Sequence, residues 1–193
     1  MNTQKNIRAF LAVEPPEEVR QAVVRLQEKL KREIGGKISW TLPEGNHLTL
    51  TFFGDISRDD VSNICTAVEK RVTAVSPLSL AVEALGVFPD ARKPRVLWSG
   101  ITRELDRLKA LQELLTADFE ELGFAQEDRP FRAHLTLARI RVPRAASGIE
   151  TALNKHTGFS AGEFQCRELV LFQSTLTAQG AIHTRLNTFP LGA

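Results

Sequence analysis

Apolar residues along the chain fall into two alternating periods. Ile7–Val13 is almost continuously apolar, as expected of a buried strand. Pro15 and Pro16 end it and open a helix, since proline is tolerated in a helix's first turn. Across residues 17–34 the period becomes helical, with Val19, Val23, Leu26, Leu30 and Ile34 in one stripe, and Gly35-Gly36 stops it. A short extended piece, residues 37–42, and a turn at Pro43-Glu44-Gly45-Asn46 lead to a strand from His47 to about Phe53. Ser57 is placed to cap a second helix carrying Val61, Ile64, Cys65 and Val68, extended by Val72 and Val75 and ended by Pro77. Residues 78–87 and 95–101 read as strands on either side of a Pro-rich basic loop. A third helix spans 104–122, with Leu105, Leu108, Leu111, Leu115, Phe119 and Leu122 in register and Gly123 as its stop. The Arg129-Pro130-Phe131 turn enters a strand from His134 to about Ile140. Residues 147–156 are helical, and 167–173 and 181–189 close the chain as strands.

One tetrapeptide occurs twice within this pattern, as His47-Leu48-Thr49-Leu50 and His134-Leu135-Thr136-Leu137. In a strand, alternate side chains share a face, so each copy presents His and Thr on one side and two leucines to a core. The histidines are 134 − 47 = 87 positions apart, and the same offset aligns the surrounding elements. Ile7–Val13 maps to 94–100, helix 16–34 to 103–121, Gly36 to Gly123, helix 57–75 to 144–162, and strand 78–85 to 165–172. The expectation is an α+β chain of two strand–helix–strand–helix–strand units, residues 7–87 and 94–174, with a closing strand at 181–189. Approximate twofold symmetry would set the motifs across one cleft. No Ser/Gly-rich linker divides the halves, so a single bilobal domain over residues 1–193 is expected.

Composition narrows the class without naming a partner. The chain has 193 residues, 42% hydrophobic and 25% charged, as in ordinary globular proteins, and can bury roughly 70% of its unfolded surface. A net charge of +2 does not single out a nucleic-acid binder. Cys65 and Cys166 lack metal-type spacing and read as free thiols in a reducing compartment. The apolar run at residues 9–13, cut by Glu14 and two prolines, is too short for a signal peptide or membrane span. A cytoplasmic protein, a monomer without membrane contact, is expected.

Residues i and i+2 of a strand lie about 6.5–7 Å apart on one face. Two His–Thr pairs across a cleft thus surround a space of phosphate size. One imidazole can remove a proton from an attacking water while the other protonates the departing oxygen. The threonine hydroxyls can donate to non-bridging oxygens. Zinc needs three or four ligands. Neither motif has Asp, Glu or Cys two positions after its His, and Asp55 has the right parity only if the strand runs that far, so neither metal nor cofactor is expected. There is no GxxxxGK[ST] or GxSxG segment, and tyrosine is absent altogether.

These residues resemble the two-histidine (2H) phosphoesterase superfamily, defined by paired HxTx motifs. Trp40-Thr41-Leu42-Pro43, Phe52-Phe53-Gly54, Pro94-Arg95-Val96-Leu97-Trp98, Arg129-Pro130-Phe131-Arg132, Leu171-Phe172-Gln173-Ser174 and residues 186–191 are similar to one family within it, the bacterial RNA 2′,3′-cyclic phosphodiesterases, also called 2′-5′ RNA ligases. Ala133 stands where relatives often have proline. The resemblance implies two antiparallel sheets flanked by helices around a central cleft. It also implies opening of an RNA 2′,3′-cyclic phosphate to a 2′-phosphate without a metal, with ATP-independent ligation as a side activity. His47 would be the proton donor, His134 the proton acceptor, and Thr49 and Thr136 the phosphate contacts; the repeat itself makes the two histidines equivalent. Arg139, Arg132, Phe53 and Phe131 are further candidate substrate contacts, although strict alternation puts Arg139 on the face opposite His134 unless a bulge intervenes. Trp40 is a candidate base-stacking residue, Arg92, Lys93 and Arg95 could follow an RNA backbone, and His156 and His183 read as structural or exposed. Two other functions compete: an RNA-end-binding module with little turnover, and a phosphodiesterase acting on a non-RNA cyclic phosphate.

Overall fold

The computed structural model describes residues 6–125, 129–177 and 180–192. Its strands are β1 (Ile7–Val13), β2 (Ile38–Trp40), β3 (Leu48–Ile56), β4 (Leu78–Phe88), β5 (Val96–Arg103), β6 (His134–Ile140), β7 (Ser160–Cys166), β8 (Glu168–Thr177) and β9 (Gly180–Pro190). The helices are α1 (Glu17–Glu33), α2 (Arg58–Val72), α3 (Leu105–Glu121) and α4 (Ile149–Lys155). No described helix is long and apolar enough to cross a membrane.

The strands form one antiparallel sheet in the order β7-β4-β5-β6-β3-β1-β8-β9, with β2 on the edge of β6 beside β3. Its two halves, of five strands (with β2) and four, join through β6 and β3, which pair only at Leu135 and Leu48. The two expected sheets therefore meet at a single bridge. Each half mixes both parts of the sequence: β4 pairs with β5, and β8 pairs with β1. Neither half of the chain could keep its strands paired without the other.

One face of the sheet is covered by all four helices. Val23 and Leu30 of α1, Ile64 and Val68 of α2, Leu108 and Leu115 of α3, and Ile149 of α4 join Leu11, Leu48, Leu50, Leu135 and Leu137 in one core. The stripes that predicted the helices are the faces they bury. α2 begins with a capping box: Ser57 Oγ accepts from Asp60 N–H at 3.1 Å, and the Asp60 carboxylate accepts from Ser57 N–H at 2.8 Å. Arg71 Nε and Nη2 donate to Asp118 at 2.5 and 2.6 Å and join α2 to α3. The other face is open and carries its own small cluster, Phe10, Ala12, Val170 and Phe172.

Two elements differ from the sequence pattern. β7 was not expected, because its segment is polar and glycine-containing; it is an edge strand whose only apolar anchors are Phe164 and Cys166. It occupies chain that the repeat assigned to the copy of α2, so that copy shrinks to α4.

A buried glutamine ties α1 to the motif strand. Gln27 is 2% exposed and donates to the Thr41 carbonyl at 3.0 Å and the Leu137 carbonyl at 2.9 Å. Gln27→Leu removes both bonds while filling the same space, and should cost about 1–3 kcal/mol. The expected result is a lower urea midpoint at an unchanged m-value; an unchanged midpoint would show the two bonds to be redundant.

Candidate active site

Leu48 and Leu135 are fully buried in the helix-covered core, so their neighbours on either side face the open cleft. In antiparallel register His47 falls beside Thr136, and Thr49 beside His134. The two motifs thus meet as His–Thr against Thr–His on one face. His134 is the first residue of β6, whereas His47 lies one residue ahead of β3. It ends a loop that leaves the edge of β6 at Thr41, whose N–H donates to Leu137 O at 2.9 Å, and returns at Leu48.

Both motif strands carry a bulge at the same position. Against β5, Thr136 faces Trp98 and Ala138 faces Leu97, so Leu137 is the extra residue. Against β1, Thr49 faces Ala12 and Thr51 faces Leu11, so Leu50 is the extra one. Leu137 and Ala138 are consecutive and both fully buried. Parity is reversed beyond the bulge, and Arg139 returns to the face of His134 and Thr136. At the equivalent position of the first motif stands Phe52, 51% exposed and 5.6 Å from the Phe10 ring.

His134 is held by its own turn. Its Nδ1 lies 2.6 Å from the Arg132 carbonyl. A carbonyl can only accept, so Nδ1 carries the hydrogen and neutral His134 presents a bare Nε2. The Phe88 ring packs edge-on at 5.0 Å, and the Arg132 guanidinium lies 5.4 Å from that same ring. Burial lowers the pKa of His134; the bond to Arg132 opposes this, and the charge of Arg139 adds to it. Trp98, opposite Thr136, lies across Gly86, where a Cβ would come within 2.1 Å of the indole. Glycine there makes room for this wall of the cleft.

His47 has a different shell. It is 7% exposed, with Phe172 at 4.4 Å, His183 at 5.3 Å and Phe10 at 5.8 Å between ring centroids. Its pKa is pushed down to about 4, first by burial and next by His183; Glu14 opposes this, and Arg20 and Arg185 reinforce it. Glu14 is itself ion-paired to Arg20 at 2.5 Å and to Arg185. Among the described residues the side chain of Asn46, fully buried beside His47, has no hydrogen-bond partner on either amide atom, and His183 Nδ1 has none.

The structure thus gathers His47, His134, Thr49, Thr136 and Arg139 on one face. Arg132 reaches the site through its carbonyl and through Phe88. Phe53 does not reach it: the second irregularity of β3 turns its ring to the helix side, edge-on to Phe119 at 4.9 Å and Phe124 at 5.3 Å. Phe131 and Trp40 likewise pack against the main core. The open face instead receives Phe10, Phe52, Phe172, Phe88, Trp98 and His183. Aligning the motif copies residue by residue pairs Phe52 with Arg139 and could have found the first of these. His183 lay beyond such a search, since the offset pairs it with Val96. His156 lies away from the cleft, 2.8 Å from Glu33. Among the described residues no group of three or more His, Cys, Asp or Glu is gathered as metal ligands would be.

The chain is similar to known proteins over nearly its whole length. The family model described as LigT-like phosphoesterase matches residues 13–98 and 100–183. Over 185 residues the chain is 32% identical to the RNA 2′,3′-cyclic phosphodiesterase of Methanothermobacter thermautotrophicus, covering 96% of this chain and 99% of that one. It is 31% identical over 185 residues to the protein of that name from Archaeoglobus fulgidus, covering 95% and 99%. Among solved structures, TT0787 of Thermus thermophilus superposes with a TM-score of 0.77 at 29% identity, covering 96% of this chain and 98% of that one. Escherichia coli LigT complexed with 3′-AMP shares the fold, with a TM-score of 0.77 at 23% identity over 97% and 99% of the two chains.

The shell of His47 has a consequence for stability. Its folded pKa of about 4 lies below the ordinary value of 6.5, so between these pH values the unfolded chain binds more protons than the folded one. Stability from this residue is complete above pH 6.5 and is lost as pH falls towards 4, a change of about 3 kcal/mol. His47→Gln should flatten the pH dependence of the urea midpoint in that window. An unchanged slope would mean that His47 titrates normally.

Proposed function

The chain belongs to the LigT-like phosphoesterase family, and on that premise we propose that it hydrolyses RNA-terminal 2′,3′-cyclic phosphate to a 2′-phosphate. The observation that carries the proposal is the meeting of the two motifs at Leu48 and Leu135, with both His–Thr pairs on one open face. A binding module would need the cations and aromatic rings but not two imidazoles held on opposite sides of a phosphate-sized space.

Phosphorus sits between the histidines. His134, with hydrogen on Nδ1 and a free Nε2, takes a proton from water as the water attacks phosphorus. The bond from phosphorus to O3′ breaks, and His47 gives its proton to O3′, leaving the phosphate on O2′. Thr49 and Thr136 donate to the non-bridging oxygens, and Arg139 balances the charge that builds there. His47 is neutral in the empty cleft at pH 7. The negative charge of a bound phosphate favours its imidazolium and so helps protonate the acid when substrate is present. The difference between the two shells supports these roles, because only His134 has a carbonyl fixing its tautomer. Ligation, in which a 5′-hydroxyl attacks phosphorus in place of water and O3′ leaves in the same way to give a 2′-5′ diester, is a side activity of the same site. The two free cysteines fit a monomer working in the reducing cytoplasm.

His47→Ala and His134→Ala should each lower kcat about 10²–10⁴-fold while remaining folded. The assay is an oligoribonucleotide with a 2′,3′-cyclic phosphate end, its product mapped as 2′- or 3′-phosphate. Wild-type turnover by either folded variant, or a 3′-phosphate product, would sink the assignment. Activity should persist in a chelator, and loss restored by zinc would contradict the mechanism. The pH profiles provide a separate check. kcat/KM reports the free enzyme, where burial keeps both histidines below 6.5, whereas kcat reports the complex. The limbs of the kcat profile should therefore lie at higher pH than those of kcat/KM; coincident limbs would mean that bound substrate does not raise either pKa.

A further inference from the structure

We infer that Lys37, Arg92, Lys93 and Arg141 form a track for the phosphodiester backbone of a single RNA strand whose cyclic end lies in the cleft. The inference rests on the reaction proposed above and specifies a polynucleotide end, rather than a free nucleoside cyclic phosphate, as the preferred substrate.

The track begins where the catalytic motif stops. Beyond the bulge, β6 carries Arg139 on the open face with His134 and Thr136, and Arg141 follows one residue past the strand's end. β2 runs beside it, with Ser39 opposite Arg139. Arg141 Nε donates to Ser39 Oγ at 2.8 Å, and Arg141 N–H donates to the Lys37 carbonyl at 3.0 Å. On the other side, Ile140 N–H donates to the Arg95 carbonyl at 2.8 Å, and the loop between β4 and β5 adds Arg92 and Lys93. The ends of β2 and β6 and the loop between β4 and β5 thus bring these cations to one end of the sheet.

These charges are not neutralised by the protein. All four side chains are exposed, and among the described residues none forms an ion pair, whereas Arg20, Arg71, Lys155 and Arg185 do. Asp90, the carboxylate of the hairpin loop, accepts at Oδ1 from the N–H groups of Arg92 and Lys93 at 2.8 and 3.1 Å. The whole chain carries only +2, so the cluster is a local excess rather than a share of general basicity. Grouped unpaired cations repel one another, and a polyanion relieves that repulsion while releasing its own counterions.

The chemistry fixes the direction. His47, the donor to O3′, lies beside Thr136, and from Thr136 the strand leads on to Arg139 and Arg141. The ribose attached to O3′, and the strand preceding it, therefore leave the reacting phosphorus towards the basic end. A single strand fits because its bases are unpaired and free to stack on protein side chains.

The test compares an oligoribonucleotide bearing a 2′,3′-cyclic phosphate end with a nucleoside 2′,3′-cyclic phosphate across about 50–300 mM KCl. For wild type, KM for the oligonucleotide should be about tenfold or more below that of the nucleotide at low salt. It should rise with salt by a log–log slope of about 0.7 per phosphate held. K37A/R141A and R92A/K93A should each raise the oligonucleotide KM about 5–10-fold and flatten that slope, narrowing its advantage over the nucleotide. Urea midpoints equal to wild type establish that both variants fold. Equal KM and equal salt slope for the two substrates in wild type would overturn the track, as would variants that raise both KM values alike. Failure of wild type to turn over either substrate would refute the reaction itself, an outcome distinct from loss of length preference.

Discussion

One backbone bridge, from Leu48 to Leu135, holds the site together. Every other pairing in the sheet lies within one half, and the bridge is where the halves meet. Its energetic support comes from beneath: both leucines are fully buried on the helix side, and burying such a side chain is worth about 1.5–3 kcal/mol. Because the leucines must point inward, His and Thr must point outward. The geometry of the site follows from core packing and the period of a strand rather than from bonds among the His and Thr side chains. Gln27 adds a second attachment, since it bonds Leu137, the residue at which β6 bulges.

The scaffold is nearly symmetric, whereas the reaction has a direction. The bulges at Leu50 and Leu137 are equivalent and reverse strand parity in both motifs. What they return to the cleft differs, Phe52 in one copy and Arg139 in the other. The same contrast appears around the histidines. His134 has a carbonyl acceptor and a cationic neighbour, while His47 has aromatic rings and His183. The closing strand β9 supplies His183, whereas β7, at the equivalent edge of the other half, carries no histidine, so the two edges separate histidines that duplication made alike.

Period-two and helical spacing carried most of the architecture into the sequence. The stripes of α1, α2 and α3 are read directly because each buries one face, and the His–Thr parity is read because the leucines between them are buried. What the pattern missed has specific causes. β7 pairs on one side only and buries little, so it lacks an apolar signature. The bulges break the alternation on which parity depends, which is why Arg139 could be on either face and why Phe53, rather than Phe52, was expected in the cleft. Contacts to His183 depend on the pairing of β8 with β9 and on the loop before His47, and no local window contains both.

The basic residues show how a local charge arrangement can disappear in a total. A net charge of +2 describes a molecule in which Glu14, Asp118 and Glu33 are spent on arginine, lysine and histidine partners. The cations at the end of β6 have no such partners. Paired charges far from the cleft exert little net field, because each is cancelled within a few ångströms and screened beyond about 10 Å. Unpaired ones next to it act over that same distance on an approaching polyanion. The bulge that turns Arg139 towards the cleft therefore has two effects: it brings one cation to the open face beside His134 and Thr136, and it sets the direction in which the chain leaves the strand, so that Arg141 bonds Ser39 on the same face.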